Sequence, residues 1–425
     1  MLTSIVGINW GDEGKGRMVD LLSRDYDIVV RYQGGNNAGH TVVNEKGKFV
    51  MNLLPSGILR PKTANVLAPG MVIDLEHLHG EIASLEDAGI SFSPEHLLIS
   101  SRASICLPFH SLLDRIEEAR LGNKKFGSTL RGISPAYADR YMKKALRMED
   151  LLHPETLKEK VEGLVEWKNL TIEKGYGCAP VSAADTLDWL DRYGTPILPY
   201  VRNSTDYLGK AIRKGKSILF EAQLGALRDI DYGIYPYTSA SPTLAAYATL
   251  GAGIPFVRLD ETVGIMKAYS TCVGEGPFVC EMFGEEGNLL REAGGEYGAA
   301  TGRPRRVGPF DAVASRYGVQ MQGSTYLALT KLDVLSYMKE IPICIAYEID
   351  GKKAEEFPDS CEELNRAKPI YEYLPGFCCD ISGCHTFEEL PSAAKNYIRT
   401  LEELVSCPIR YVSVGAERDA CIRLF

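Results

Sequence analysis

The chain has 425 residues, of which 45% are hydrophobic and 24% charged, and a formal net charge of −9. That balance is globular and excludes a disordered or fibrous chain, a basic nucleic-acid footprint and attraction to anionic membranes. Its partners are expected to be small molecules or protein.

The segment MLTSIVGINWGDEGKG has no basic leader followed by a cleavable apolar core. Residues 2–9 read as a strand, 14–24 as a helix, and YDIVVRY (26–32) as a second, continuously apolar strand. The pattern recurs: ANVLAPGMVIDLEHLHGEIASLEDAGI gives strand, turn and a helix from about Asp74, and HLLISSRASICLPFHSLLDRIEEARLG repeats it. Residues 122–215 read as a mostly helical insertion. Later strands are expected at 217–222, 325–333, 343–349 and 410–415. Near-uniform apolar strands alternating with helices predict an α/β fold, a large, mostly parallel central sheet flanked by helices. No stretch is long enough to span a bilayer. The 11 cysteines lack a framework rhythm and read as reduced thiols, so a cytoplasmic protein is expected. Cys378, Cys379, Cys384 and His385 offer four soft ligands. Adjacent cysteines are hard to place around one tetrahedral ion, and their spacing fits no CxxC knuckle, so thiols are the better reading.

Four constellations point to chemistry. GDEGKG, between the first strand and helix, would aim backbone N–H groups and a helix end at an anion, with Lys15 adding charge. It lacks the Ser or Thr of a Walker A loop and carries acids; Asp12 could hold Mg²⁺ or take a proton. RYQGGNNAGHTVV follows the second strand, at the sheet edge where ligands bind, and offers His40 as a proton donor or electrophile. GAATGRPRR (298–306) puts three arginines on a glycine-flanked loop, suited to carboxylates and phosphates. LTKLDVL (329–335) could lay a lysine stem along a purine and let Asp333 accept from guanine's ring N–H and amine, with SVGAERD (413–419) turning nearby.

In this order, GDEGKG, GGNNAGHT, FE(x)QLGAL, IYPYTSAS, TGRPRR, TKLD and SVGxER resemble adenylosuccinate synthetases from Ile5 to Arg418. The resemblance implies a P-loop-like, Mg²⁺-dependent homodimer that joins IMP and L-aspartate using GTP, through a 6-phosphoryl-IMP intermediate, in AMP biosynthesis. It assigns catalysis to Asp12, Lys15, His40 and Gln223, and the metal to Asp12 and the Gly39 carbonyl. GTP would meet Gly11, Asp12, Glu13, Gly14, Lys15, Gly16 and Arg17, then Gly39, His40 and Thr41. Its further contacts would be Arg305, Lys331, Leu332, Asp333, Ser413, Val414 and Gly415. IMP would meet Asp12, Glu13, Gly14, Lys15, Asn37, Ala38, Gly39 and His40, together with Thr129, Lys143, Gln223, Thr238 and Arg303. The aspartate loop would be Ala299, Ala300, Thr301, Gly302, Arg303, Pro304 and Arg305.

The chain departs from the family pattern in places. Ala300 stands where Thr is usual, Lys143 where Arg is usual, and Ala416 where Pro is usual. Gln223 and Thr238 each sit one step early relative to their motifs. Lys143 is expected on the helix that follows Pro135. Two other readings remain open at this point. One is a paralogue using another purine nucleotide or amino acid; the other is a non-catalytic GTP-binding regulator.

Overall fold

The computed structural model describes residues 1–44, 47–91, 93–298, 302–417 and 419–425. Ten strands form the main sheet: β1 (Leu2–Gly7), β2 (Ile28–Arg31), β3 (Ala64–Leu67), β4 (Leu97–Ser100), β5 (Val201–Arg202), β6 (Ile218–Glu221), β7 (Glu261–Lys267), β8 (Tyr326–Thr330), β9 (Ile409–Ser413) and β10 (Cys421–Arg423). Their spatial order is β10-β9-β8-β7-β1-β6-β2-β3-β4-β5. Every pairing is parallel except β9–β10. The first strand is therefore central, between two strands that arrive much later in the chain.

The apolar runs form strands because the sheet is covered on both faces, so neither side of the pleat needs polar residues. Ile5, Val29, Leu219 and Val263 pack with Met18 and Val19 of helix α1 (Lys15–Leu22). Val6, Val30 and Phe220, one step out of phase, pack on the opposite face with Leu208 and Ala248. Helix α2 (Leu75–Asp87) begins where expected, because the Asp74 carboxylate accepts from the His77 amide at 3.0 Å and caps it. Helix α3 (Pro108–Leu121) starts at a proline, which the first turn tolerates.

Residues 122–215 carry helices α4 (Ile133–Tyr141), α5 (Pro154–Asn169), α6 (Ala183–Gly194) and α7 (Ser204–Arg213), and also supply β5 to the main sheet. The run 343–349 is part of a longer strand, Glu340–Ile349, which lies outside the main sheet. It pairs antiparallel with Lys368–Pro375, a strand the sequence reading missed. No described helix is long and apolar enough to cross a membrane.

Candidate active site

The carboxyl ends of β1, β2, β6 and β8 converge. Beyond β1 the chain enters GDEGKG, where Asp12 has a left-handed backbone (φ 61°) and Gly14 has φ 97°. A side chain is rare in that region, and Asp is among the residues that tolerate it best. Glu13 turns inward and is 2% exposed. Its Oε1 accepts from the amides of Asn9 (3.1 Å) and Gly11 (2.8 Å), and its Oε2 lies 2.5 Å from Lys15 Nζ. Part of the positive potential assigned to phosphate is thus already met by a carboxylate within the loop. The Thr330 hydroxyl at the end of β8 donates to the Glu13 carbonyl at 2.7 Å and ties the loop down.

The second glycine loop follows β2 and leads into the hairpin His40–Asn44/Gly47–Met51. Arg31 is buried and places Nη1 3.2 Å from His40 Nδ1. Because a guanidinium can only donate, Nδ1 accepts and the imidazole proton sits on Nε2. That Nε2 has no hydrogen-bond partner and lies 3.7 Å from Glu221 Oε1. Glu221 is itself fixed by the amide and hydroxyl of Ser56, each at 2.9 Å. Burial holds the His40 imidazole below the ordinary histidine value; Glu221 pulls it upward and Arg31 pushes it further down. The ring packs on α1, where a Cβ at Gly16 would fall 2.7 Å from His40 Cβ, so only glycine fits there.

Gln223, just past β6, lies beneath the same glycine loop. Its Nε2 donates to the Gly35 carbonyl at 2.6 Å, while its buried Oε1 has no partner. Thus Asp12, Lys15, His40 and Gln223 come from strand-end loops of one sheet edge.

Arg305, at the described end of the arginine loop, approaches from the other side. The described ends of this loop pair through a Tyr297–Pro304 bridge and a hydrogen bond from the Gly298 amide to the Arg303 carbonyl at 2.8 Å. Ala299, Ala300 and Thr301 lie outside the described residues. Gly302 and Arg303 are exposed, and Arg305 Nε stands 3.1 Å from Asp12 Oδ2. The third arginine, Arg306, turns away to pair with Glu281.

The TKLD step places Lys331 in a left-handed conformation and starts a 3-10 turn at Leu332. Burial raises the Asp333 carboxyl against the opposing pull of Lys331 and Arg17. Arg17, on α1, donates to the carbonyls of Gly415 (2.7 Å) and Ala420 (3.0 Å) and to the Ser413 hydroxyl, clamping the 413–415 turn beside Asp333. Thr129 and Lys143 are exposed. Lys143 is not on a helix as expected: α4 ends at Tyr141, and Lys143 follows with φ 61°. Thr238 is half-buried.

Sequence reasoning missed Arg31, Glu221, Lys267 and Glu296, all buried charges at or beside this site. For the first three the available signal was a charged residue ending an otherwise apolar strand, as in IVVR, ILFE and GIMK. A cluster elsewhere, Cys280, Asp311 and Cys344, is also buried. Its groups are satisfied internally: Cys280 and Tyr347 donate to Asp311, and the Asp311 carboxylate caps the helix Ala312–Gln322.

A family model described as adenylosuccinate synthetase matches residues 4–422. The chain belongs to the adenylosuccinate synthetase family. It is a ligase of purine biosynthesis. An adenylosuccinate synthetase from Bifidobacterium adolescentis is 45% identical over 420 residues, covering 99% of this chain and 98% of the relative. The solved structure of fully ligated adenylosuccinate synthetase from Plasmodium falciparum is 34% identical and covers 99% of both chains with a TM-score of 0.93. A cyanophage S-2L succinoaminodeoxyadenylate synthetase, bound to dGMP and dATP, is 20% identical, with a TM-score of 0.62 over 99% of this chain and 95% of that one; it shares the fold. Family membership favours a synthetase over a non-catalytic regulator, and the far stronger adenylosuccinate synthetase matches favour that activity over a paralogue.

Proposed function

We propose that the enzyme joins IMP and L-aspartate at the expense of GTP, by way of 6-phosphoryl-IMP, giving adenylosuccinate, GDP and phosphate. The observation that carries this reading is the contact between Asp12 and Arg305 at 3.1 Å. It brings the carboxylate of the phosphate loop against the loop suited to an amino-acid carboxylate.

The chemistry explains the acid in that loop. The 6-oxygen of hypoxanthine is a poor leaving group and must be activated. Asp12 takes the N1 proton, the 6-oxygen attacks the γ-phosphorus, and the bond to GDP breaks. Lys15 and the loop amides stabilise the transferring charge. The unpartnered Nε2–H of His40 is the donor for a phosphoryl oxygen, and Gln223 Oε1 accepts from a ligand N–H. The aspartate amine then bonds to C6, and phosphate leaves with the 6-oxygen.

Arg303 and Arg305, with 299–302, hold the aspartate carboxylates. Asp333 reads guanine's donor edge, and the 413–415 turn closes over the base. Mg²⁺ fits the donor types, since Asp12 offers a carboxylate whose side chain is 33% exposed, and the Gly39 carbonyl would supply a second hard oxygen. When bound, it would neutralise charge on the phosphates.

The active form is a homodimer in the cytoplasm. Thr129 meets IMP and Lys143 reaches the IMP of the partner subunit, from a surface where Tyr141 (71%) and Met142 (57%) are left exposed. An assay of phosphate release with IMP, GTP, Mg²⁺ and each amino acid in turn tests the assignment. Release that depends on all four components, with L-aspartate the preferred amino acid, is expected. Equal release without IMP, or preference for another amino acid, would overturn it.

A further inference from the structure

Behind the arginine loop lies a carboxylate that contacts no proposed substrate yet holds two residues proposed to do so. Glu296 is 0% exposed. Its Oε2 accepts from Arg305 Nη1 at 2.7 Å, and its Oε1 accepts from Lys267 Nζ at 2.9 Å and from the Tyr269 hydroxyl. Lys331 Nζ lies 3.9 Å away and donates to the Gly294 carbonyl at 2.5 Å. The Glu296 carbonyl also receives the Arg305 amide at 2.9 Å, so backbone and side chain of Arg305 are fixed to one residue.

Burial alone would raise the Glu296 carboxyl, but Lys267, Lys331, Tyr269 and Arg305 outweigh it and hold it down at about 2. The residue is therefore a fixed anion throughout the working range. A charge buried this deeply is strongly unfavourable unless it is paired and hydrogen-bonded, and this one is paired on both oxygens.

We infer that Glu296 is a positioning residue: it aims Arg305 at the amino-acid carboxylate and couples that arginine to Lys331 on the guanine side. The inference rests on reading 299–305 as the amino-acid loop. Arg305 has two anionic partners, Glu296 behind it and Asp12 in front. Asp12 must be released to take a proton, and the Glu296 contact keeps Arg305 from following it. The three cations Lys267, Arg305 and Lys331 outnumber the two carboxylates Glu296 and Asp12, so the base of the loop stays net positive, as a dicarboxylate ligand requires. Without the Glu296 charge, Arg305 would fall back on Asp12 alone.

The test is steady-state kinetics of Glu296→Gln, Arg305→Leu and the double variant, with thermal melts for folding. Glu296→Gln is expected to raise the aspartate KM at least about tenfold and the IMP KM less than about twofold. In the Arg305→Leu background it should add less than about a further twofold, because the two residues act through one contact. An aspartate KM unchanged by Glu296→Gln, IMP and aspartate KM values rising together, or effects that multiply in the double variant would overturn the inference. If Glu296→Gln does not fold, Lys267→Met/Glu296→Gln, which removes the buried anion and its buried cation together, takes its place in the same cycle. If Arg305→Leu itself leaves the aspartate KM unchanged, the amino-acid-loop reading fails. If Arg305→Leu raises it and Glu296→Gln does not, only the role of Glu296 falls.

Discussion

The carboxylate of Asp12 and the guanidinium of Arg305 form an ion pair at 3.1 Å, although 293 positions separate them in the chain. This pair gives the first prediction. Asp12→Asn preserves the loop's shape but removes both the proton acceptor and a hard metal ligand. Turnover should fall by roughly a hundredfold or more. Stopped-time phosphate release at saturating substrates reads this directly, and wild-type-like turnover would sink Asp12 as the base.

The second concerns His40 and pH. Its imidazole is held below the ordinary value of 6.5 by burial, so the folded protein resists protonation more than the unfolded chain does. This contribution to stability is present above about pH 6.5 and is lost as the pH falls. Arg31→Met removes a cation that pushes the imidazole down and leaves Glu221 to pull it up, so the His40 pKa should rise. Imidazole nitrogen NMR across pH 5 to 8 checks both statements. A wild-type ring already half-protonated above pH 6.5, or one indifferent to Arg31→Met, would contradict them.

The third concerns the choice of purine. Asp333→Asn should weaken GTP and favour XTP, since an amide can donate to a 2-oxo group where the carboxylate only accepts. The quantity to measure is the ratio of kcat/KM for the two triphosphates. If that ratio does not move toward XTP, Asp333 does not read the base edge.

The fourth concerns Lys143. A lysine places one charge on a phosphate without the paired hydrogen bonds of an arginine fork. Lys143→Arg should therefore tighten IMP and reduce its salt sensitivity, and Lys143→Ala should weaken it. If the site is shared between subunits, saturating IMP should strengthen dimerisation by linkage. Sedimentation with and without IMP decides the coupling; an unchanged association constant excludes it.

The sequence made the strand-end loops legible because each carries glycines or a charge where an apolar run stops. The α/β alternation and the mainly parallel sheet followed from strands that are apolar on both faces. What stayed hidden had physical reasons. Glu296 sits in a stretch, GGEYG, that looks like an ordinary polar loop, and its burial depends on Lys267 and Arg305 arriving from elsewhere. Lys368–Pro375 was missed because prolines near both ends disguise a strand whose partner, Glu340–Ile349, sets its register. Lys143 reads as helical from composition alone, yet the turn after Tyr141 has already ended the helix.

The central place of β1 has a consequence for biogenesis. Its neighbours, β6 and β7, begin at Ile218 and Glu261. The ribosome must add roughly 210 residues after β1, about 10–40 s of synthesis at ~5–20 residues per second, before the first of these exists. Through that interval the apolar run Ile5–Val6 has neither of its two native partner strands, and the GDEGKG loop lacks the Thr330 contact that ties it down. A nascent chain ending short of Ile218 carries every residue of the phosphate loop without a phosphate site. Its unpaired strand is an edge open to other chains, so the need for chaperone protection is greatest early in translation.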